Sequence, residues 1–299
     1  MLAVPTRLPA HTALTTVLGP LRNGRFDPTT RLLPGRFVRA TLTPDGPGTI
    51  ELQWAGEALR VAAWGPGATW WYQQAEALVG LRDEPHRFTN AHPAIMAAQR
   101  NHPGLRLGAS GTLYHELLPT ILAQRITVGE AVRQWQLLCE RLGEPAPGPF
   151  PGLRLPPTPQ RLGSMPSWWF HPLGIERKRA EPLIEVARHA HHLWAWAAAG
   201  SITAAQQMAR IRGIGEWTIG LVLASALGEP DAVAVGDFHL KNTVAWALAG
   251  EARATDERML ELLEPYRPHR GRVTRLLALD GHGAPKFGPR QRVLPMARW

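Results

Sequence analysis

The residues best suited to chemistry lie in one stretch in the second half of the chain. Residues 203–227 read TAAQQMARIRGIGEWTIGLVLASAL, two helix-like runs joined by a short turn that contains Gly213 and Gly215. Because glycine has no side chain, its backbone N–H can approach a phosphate closely, and the second helix would present its positive N-terminal end to the same anion. Asp237 follows Gly215 by 22 residues and supplies a carboxylate at the start of another helix-like run. The pattern predicts an anion-binding hairpin with an acidic group close behind it in the sequence.

Each of these features also has an ordinary structural interpretation. The two glycines suit the C-cap of a plain turn between helices, and Asp237 suits a helix N-cap. Thr203 and Gln206 have the spacing of a capping box that would begin the first helix. The two interpretations of Asp237 are compatible, because a helix N-terminus stabilises an ionised carboxylate.

The chain is strongly basic. Its 299 residues include 33 Lys and Arg against 24 Asp and Glu, a formal net charge of +9. All but three of the basic residues are arginine, whose guanidinium forms paired hydrogen bonds to phosphate, although biased codon usage would give the same composition. A positive field attracts polyanions, so the charge indicates nucleic acid or an acidic membrane surface as the partner class.

Composition excludes several classes of protein. With 44% hydrophobic and 19% charged residues the chain is expected to fold, and Cys139 as the single cysteine excludes an intrachain disulfide and four-cysteine zinc or iron–sulfur sites. The first 25 residues are interrupted by prolines and lack the apolar run of a secretion signal. No stretch is apolar enough to span a membrane. We therefore expect a cytoplasmic protein without a membrane partner.

The periodicity of the sequence changes from strand-like to helix-like along the chain. Between Phe37 and Trp64 short apolar stretches flank the turn-rich PDGPG at 44–48, which predicts an antiparallel meander, and a helix is predicted at 68–80. Residues 143–159 contain seven prolines and predict a long connection inside the helical part. The helix-like segments after Pro85 are 91–101, 112–123, 127–142, 176–199, 203–211, 216–227, 239–249, 255–264 and 270–279.

Three of these segments together resemble a known family. The hairpin GIGEWT, the 22-residue step and GDFHLK are similar to the hairpin and catalytic-aspartate segments of the helix-hairpin-helix DNA glycosylases, in particular the 3-methyladenine DNA glycosylase II type, which removes alkylated bases. LLPTILAQRITVGEA at 117–131 and PYRPHRGRVTRLL at 265–277 resemble further segments of that family. The resemblance covers about residues 86–280. It implies an α+β fold in which an N-terminal domain with a small antiparallel sheet, residues 1–85, precedes a helical glycosylase domain of two lobes, residues 86–290.

The resemblance also implies a catalytic residue and a substrate pocket. Cleavage of an N-glycosidic bond builds positive charge on the sugar, so an enzyme needs an anion near C1′ and a base for the incoming water. Asp237 matches the position of this anion. A positively charged alkylated purine binds well against aromatic faces, and Trp217 occupies a position that the family uses to line the pocket. Further candidates for the pocket are Trp168, Trp169, Phe238 and His239, with packing or simple solvent exposure as the ordinary alternative.

DNA contacts are implied for two turns. Gly213 and Gly215 would bind phosphate through their backbone. The turn around Gln124 corresponds to the segment from which the family inserts a side chain into the gap left by the flipped base, and Arg125 and Ile126 are the two candidates. The ordinary alternatives are a surface or phosphate contact for Arg125 and a buried helix end for Ile126.

The sequence favours hydrolysis over strand cleavage. Relatives that also nick the strand carry a lysine two residues after the second hairpin glycine, and here Trp217 stands there, whose indole cannot form a Schiff base. Lys241 is the nearest amine in the sequence, four residues after Asp237, where an ion pair with that aspartate or a phosphate contact is the simpler interpretation.

No metal site and no required cofactor are expected. The histidines at 189, 191 and 192 lack an acidic or cysteine partner at metal-binding spacing and are expected to lie on a solvated helix surface. The sequence contains no nucleotide-binding loop and no nucleophile elbow. Some members of the family hold a monovalent cation on the hairpin carbonyls, which is the one ion that the resemblance implies.

The resemblance thus implies a monofunctional DNA glycosylase. It would act as a monomer on double-stranded DNA that contains damaged bases, flip out alkylated purines such as 3-methyladenine and 7-methylguanine, and hydrolyse their N-glycosidic bond in base excision repair. A bacterial, nucleoid-associated location is expected with it. The alternative is a non-catalytic DNA-binding protein built on the same hairpin.

Overall fold

The computed structural model describes residues 4–89 and 92–285. Within them, five strands form one sheet in the order β1-β5-β4-β3-β2, with every neighbouring pair antiparallel. The prediction of an α+β chain with an antiparallel N-terminal sheet is confirmed. The strands are β1 (Val4–Arg7), β2 (Thr30–Leu33), β3 (Arg36–Thr43), β4 (Gly46–Ala55) and β5 (Ala58–Trp64).

The rest of the described chain is mostly helical. The α-helices are α1 (Leu14–Leu18), α2 (Ala68–Leu78), α3 (Pro93–Asn101), α4 (Leu113–Leu122), α5 (Val128–Leu142), α6 (Pro159–Gly163), α7 (Arg177–Arg188), α8 (Ala190–Ala198), α9 (Ser201–Met208), α10 (Glu216–Ala226), α11 (Leu240–Ala249), α12 (Asp256–Leu263) and α13 (Arg270–Leu279). Short 3-10 turns lie at Gly19–Leu21, Pro85–Arg87, Ser167–Leu173 and Glu264–Tyr266.

Most of the predicted helices are present, with two corrections. The predicted segment 176–199 is divided at His189 into α7 and α8. Helix α9 begins at Ser201, so Thr203 and Gln206 lie inside it and the predicted capping box is wrong. Residue 91, the predicted start of another helix, lies outside the described residues, and α3 begins at Pro93.

The sheet is covered on both faces. One face packs on α2, whose Trp71, Ala75 and Leu78 are buried against it as their helical spacing predicts. On the other face the proline-rich connection between α5 and α6 buries three apolar side chains against β3, Phe150, Leu153 and Leu155. The connection therefore lies between two helices, as predicted, but its packing partner is the sheet.

The junction between the sheet and the first long helix is polar and buried. Arg39 of β3 forms an ion pair with Glu116 of α4, and both side chains are almost completely buried. Next to them, the ring of His115 lies between two threonine hydroxyls, with Nδ1 2.9 Å from Thr41 Oγ1 and Nε2 3.2 Å from Thr29 Oγ1. These contacts fix the sheet to α4 at a specific register, because every polar group taken out of water there needs its own partner.

The helices form two hydrophobic clusters. The larger consists mainly of side chains from α4, α5 and α7–α10, and the smaller of side chains from α3 and α11–α13 together with Val233. The segment 228–239 joins α10 of the first cluster to α11 of the second, and it carries Asp237. The domain limits 1–85 and 86–290 stay a prediction, and residues 1–3, 90–91 and 286–290 of those ranges lie outside the described part.

Within the described ranges, every helix is too short or too polar to cross a membrane.

Candidate active site beside the hairpin

The predicted hairpin joins α9 and α10. Ile211 and Ile214 are buried on its inner side and hold the two helices together. Gly213 has a φ of +87°, and a side chain there would overlap Pro182 of α7. Gly215 is exposed, has a φ of −104° and directly precedes α10. Gly213 is therefore required for the turn itself, whereas Gly215 leaves an open surface at the helix N-terminus.

Asp237 lies between the two helical clusters and is held by three donors. The indole Nε1 of Trp217, on the first turn of α10, donates to Asp237 Oδ2 at 3.0 Å. The backbone N–H groups of His239 and Leu240 donate to Oδ1 at 2.9 and 3.0 Å. Leu240 is the first residue of α11 and His239 is its N-cap, so the N-cap position that the sequence suggested for Asp237 is wrong by two residues. The carboxylate nevertheless binds backbone amides at the positive end of that helix.

These contacts keep the carboxylate ionised. Partial burial acts to raise the pKa of Asp237, but the hydrogen bonds from Trp217, His239 and Leu240 and the nearby His239 ring outweigh it, so the pKa is lowered from its usual value. Each donor stabilises the anion and not the neutral acid. At neutral pH the site therefore presents a fixed negative charge, only partly shielded from solvent.

A second carboxylate fixes the chain on either side of Asp237. Asp256, the first residue of α12, accepts the Gly236 N–H at 3.0 Å on Oδ1 and the Lys241 ammonium at 3.1 Å on Oδ2. Gly236 precedes Asp237 and Lys241 follows it by one turn of chain. The partner of Lys241 is thus Asp256, and the ion pair with Asp237 that the spacing had suggested is wrong.

Of the aromatic residues predicted for the pocket, Trp217 is the one with a described contact to the carboxylate. Trp217 is half-buried and contacts it directly, while Phe238 is 77% exposed and meets the His239 ring edge to face at 4.9 Å. Trp168 is 74% exposed on a 3-10 turn, and Trp169 packs into the larger helical cluster against Phe170. A role for these residues in base binding stays a prediction.

The turn around Gln124 is bonded to the hairpin. The Gln124 amide donates to Gly213 O at 2.9 Å and to Thr218 Oγ1 at 3.0 Å. Arg125 is exposed and has a φ of +58°, a conformation that costs a non-glycine residue about 1–2 kcal/mol. Ile126 is only half-exposed. Of the two candidates for filling a gap in the duplex, Arg125 is the more exposed one.

Three contacts of the candidate site were not predicted from the sequence. These are the bonds from Trp217 to Asp237, from Gly236 to Asp256 and from Gln124 to Gly213. Each joins residues at least 20 positions apart, and none follows from a helical or strand-like period. The local sequence around Asp256 shows one signal, an acidic residue directly after the N-capping Thr255. This signal predicts the start of a helix but not the bond to Gly236.

The described residues contain no group of three or more His, Cys, Asp or Glu side chains that could hold a metal ion. At the hairpin, three carbonyls are already bonded within the chain: Gly213 O accepts from Gln124, Ile211 O from the Ile214 N–H, and Gly215 O from the Ile219 N–H. Whether the hairpin carbonyls hold a monovalent cation stays a prediction.

The fold is similar to that of several solved DNA glycosylases. The 3-methyladenine DNA glycosylase from Archaeoglobus fulgidus superposes with a TM-score of 0.75 at 16% identity, over 93% of this chain and 98% of its own. The 8-oxoguanine glycosylase/lyase from Clostridium acetobutylicum gives 0.69 at 13% identity, over 92% and 95%. The same enzyme in complex with double-stranded DNA containing cytosine opposite 8-oxoguanine gives 0.67 at 14% identity, over 92% and 93%.

Comparison of the sequence with family models and with curated proteins found no significant match. The solved structures have two different activities on this fold, so the fold alone does not indicate an activity for this chain.

Proposed function

We propose that the chain is a monofunctional DNA glycosylase that hydrolyses the N-glycosidic bond of alkylated purines. The observation that carries the proposal is the Asp237 carboxylate, held ionised by Trp217 and two backbone amides beside a glycine hairpin. A helix cap alone would need the amide bonds but would not need the indole donor. The two hydrophobic helical clusters act as the two lobes, and the damaged base enters between them near this carboxylate.

Asp237 acts mainly through its charge. As the C1′–N bond breaks, its electron pair goes to the purine and positive charge develops on the sugar, which the fixed carboxylate stabilises. Water then bonds to C1′ and gives up a proton, which passes to Asp237 and on to solvent. Because the lowered pKa makes the carboxylate a weak base, proton removal follows attack instead of driving it.

A cationic base fits this site better than a neutral one. Purines alkylated at N3 or N7 carry positive charge on the ring and leave as neutral bases, so they need no acid to assist departure. An aromatic face and a nearby anion favour such a cation, and Trp217 and Asp237 supply both. A neutral lesion such as 8-oxoguanine would need more help than a carboxylate gives.

Water is the nucleophile in this proposal. The hairpin position where strand-cutting relatives carry lysine is Trp217, and the ammonium of Lys241 is paired with Asp256 at 3.1 Å. The product is then an intact strand with an abasic site, which enters base excision repair. Arg125 is the residue assigned to fill the gap that the flipped base leaves, because its side chain is exposed and its backbone is held in a strained turn bonded to the hairpin.

The test is a substrate panel with the purified protein under single-turnover conditions. We expect release of free 3-methyladenine and 7-methylguanine from methylated duplex DNA, much slower or no release of 8-oxoguanine, and no protein–DNA adduct on borohydride reduction. Binding without release of any base would support the non-catalytic alternative. A trapped adduct that disappears in Lys241→Ala would show that Lys241 is a nucleophile, against the proposal.

A further inference from the structure

A groove of about 250 Å³ lies beside the hairpin, between the end of α7, α8 and α9. The groove adjoins the hairpin, because Ile211 lines the groove and is also a buried residue of the hairpin turn. Gly213 is two residues further on, so the groove and the hairpin amides are separated by at most about 7 Å of chain. The lining side chains are His189, His192, Trp196, Gln207, Arg210 and Ile211.

Aromatic rings form one wall of the groove. The His192 ring stacks on Trp196 with centroids 5.9 Å apart and planes only 8° apart, and the His189 ring lies 6.4 Å from the same indole. His191 extends the row, with its ring centroid 3.8 Å from that of His192. Flat faces of this kind bind a deoxyribose or a base edge without regard to sequence.

The opposite wall is a hydrogen-bond donor. Arg210 is exposed, and its Nη1 donates to Gln207 Oε1 at 3.2 Å, which orients the guanidinium. Among the residues that the structure describes, its other N–H groups are left for a ligand. The nearest acid on α7, Glu185, is paired with Arg188 at 2.6 Å. The lining of the groove therefore includes no carboxylate to repel an anion.

His189 has a defined tautomer when neutral. Its Nδ1 lies 2.9 Å from Glu185 O, and because a carbonyl only accepts, Nδ1 carries the proton. The remaining nitrogen, Nε2, is then a lone pair in the neutral ring and a donor only in the imidazolium form. An anion in the groove can bond to His189 only if the ring takes up a proton.

We propose that this groove binds a phosphodiester of the same DNA strand that the hairpin holds, next to the phosphate at the hairpin amides. The inference rests on the proposed function, since it extends the DNA footprint of that site. One phosphate step along a strand advances about 3.4 Å along the duplex axis but spans roughly 7 Å through space, so about 7 Å of protein chain matches a single step to the neighbouring phosphate. The phosphate lies against Arg210 and His189, and its sugar against the Trp196 and His192 rings.

The proposal makes DNA affinity depend on pH. Because Nδ1 of His189 is bonded to Glu185 O, only the protonated ring can donate Nε2 to the phosphate, so binding takes up a proton and affinity rises as the pH falls. The other charged or titratable groups around the ring are Glu185 and Arg188 on α7, His191 and His192 on α8 and Arg210 after α9. The Glu185–Arg188 pair is neutral as a unit, and the remaining groups favour an anion.

The experiment measures the Kd of undamaged duplex DNA by fluorescence anisotropy, as a function of salt and at about pH 8 and pH 6. Arg210→Gln is expected to lower the slope of log Kd against log salt by about 0.9, the value for one phosphate contact. His189→Gln is expected to remove about a threefold gain in affinity that the wild type shows at the lower pH. Arg60→Gln on β5 and His86→Gln are the matched controls, since both side chains are exposed and lie on the N-terminal part of the chain.

The two groove variants should keep the wild-type melting temperature. If Arg210→Gln and His189→Gln behave as their controls do, the groove is a plain solvated surface and the proposal fails, while excision by the wild type would still support the proposed function. If the wild type releases no base but the groove variants lose affinity, the proposed glycosylase activity fails and the groove stands as a DNA contact. If all four variants lose affinity for DNA to the same extent, the loss is an effect of net charge alone, and the proposed phosphate site in the groove is wrong.

Discussion

At the scale of single residues, the Trp217 side chain offers two different groups, an aromatic face and an indole N–H. Its face makes it a candidate wall for an alkylated purine, and its indole N–H is bonded to Asp237 at 3.0 Å. Under the proposed function, one side chain thus contacts both the base and the carboxylate assigned to stabilise the sugar cation. The hydrogen bond is one of the reasons for the lowered pKa of Asp237.

Trp217→Phe separates these two roles. Phenylalanine keeps an aromatic face but loses the donor, so the pKa of Asp237 rises toward its usual value and the ionised, active form is lost at a higher pH. We expect single-turnover excision to be roughly tenfold slower, as for loss of one hydrogen bond to a charged group, with the acidic limb of the pH profile moved to higher pH. A slower variant whose acidic limb is unmoved would mean that the indole acts on the base alone.

At the scale of elements, the start of α12 fixes the segment that carries the carboxylate. Asp256 bonds Gly236 and Lys241, and asparagine there would keep an acceptor for the Gly236 N–H while losing the charge. We expect Asp256→Asn to excise at close to the wild-type rate and Asp256→Ala to be roughly tenfold slower, since only alanine removes the bond to the loop. Glu257→Gln, an exposed acid on the same helical turn, is the control. Equal rates for the alanine and asparagine variants would show that the bond to Gly236 does not position Asp237.

The two hairpin glycines should respond differently to alanine. In Gly213→Ala the new methyl group sits on a backbone with a positive φ and overlaps Pro182. The variant should therefore have a lower melting temperature and a lower affinity for DNA. Gly215→Ala has open space around the new methyl group and ordinary backbone angles, so it should melt like the wild type and lose affinity for every DNA sequence alike. Calorimetry and salt-dependent binding measure the two effects. If Gly215→Ala folds and binds DNA with the wild-type affinity, the hairpin is a plain turn between helices and not a DNA contact.

What the sequence could predict at this scale depended on local rules. The meander, the helices after residue 112 and the hairpin follow from period, turn residues and glycine spacing, all of which act within a few residues. The capping box at Thr203 failed although its spacing was right, because the helix extends back to Ser201 and Gly200. The hydrogen bonds around Asp237 depend on how α10, α11 and α12 pack against one another, and rules that act within a few residues do not predict this packing.

At the scale of the whole molecule, the sheet and the helical part are joined through buried polar groups. Arg39 and Glu116 form the ion pair, and His115 fills the space beside it between Thr29 and Thr41. Burial, together with the positive charge of Arg39, holds the pKa of His115 well below its usual value. The folded protein therefore keeps this ring neutral at pH values at which the unfolded chain protonates it.

Acid should therefore weaken the fold through His115. Below about pH 6.5 the unfolded state binds a proton that the folded state does not, so the free energy of unfolding falls by roughly 1.4 kcal/mol per pH unit for this one group. His115→Gln should lose that part of the slope between about pH 6.5 and 5, whatever its stability at neutral pH, whereas His86→Gln should keep it. Denaturant unfolding at several pH values measures the slope. The same slope in His115→Gln as in the wild type would mean that this ring is protonated in the fold.

The central claim is that Asp237 carries the chemistry, and one comparison tests it most directly. Wild type and Asp237→Asn are mixed in excess with methylated duplex DNA, and release of free purine is followed in a single turnover alongside the Kd for the same duplex. Asparagine keeps the shape, and its Oδ1 can still accept from His239 and Leu240, but its amide nitrogen cannot accept from Trp217 and the negative charge is removed. We therefore expect excision to fall by at least about 10³-fold while DNA binding is kept or tightened. Excision by Asp237→Asn within a few-fold of the wild-type rate would contradict the account.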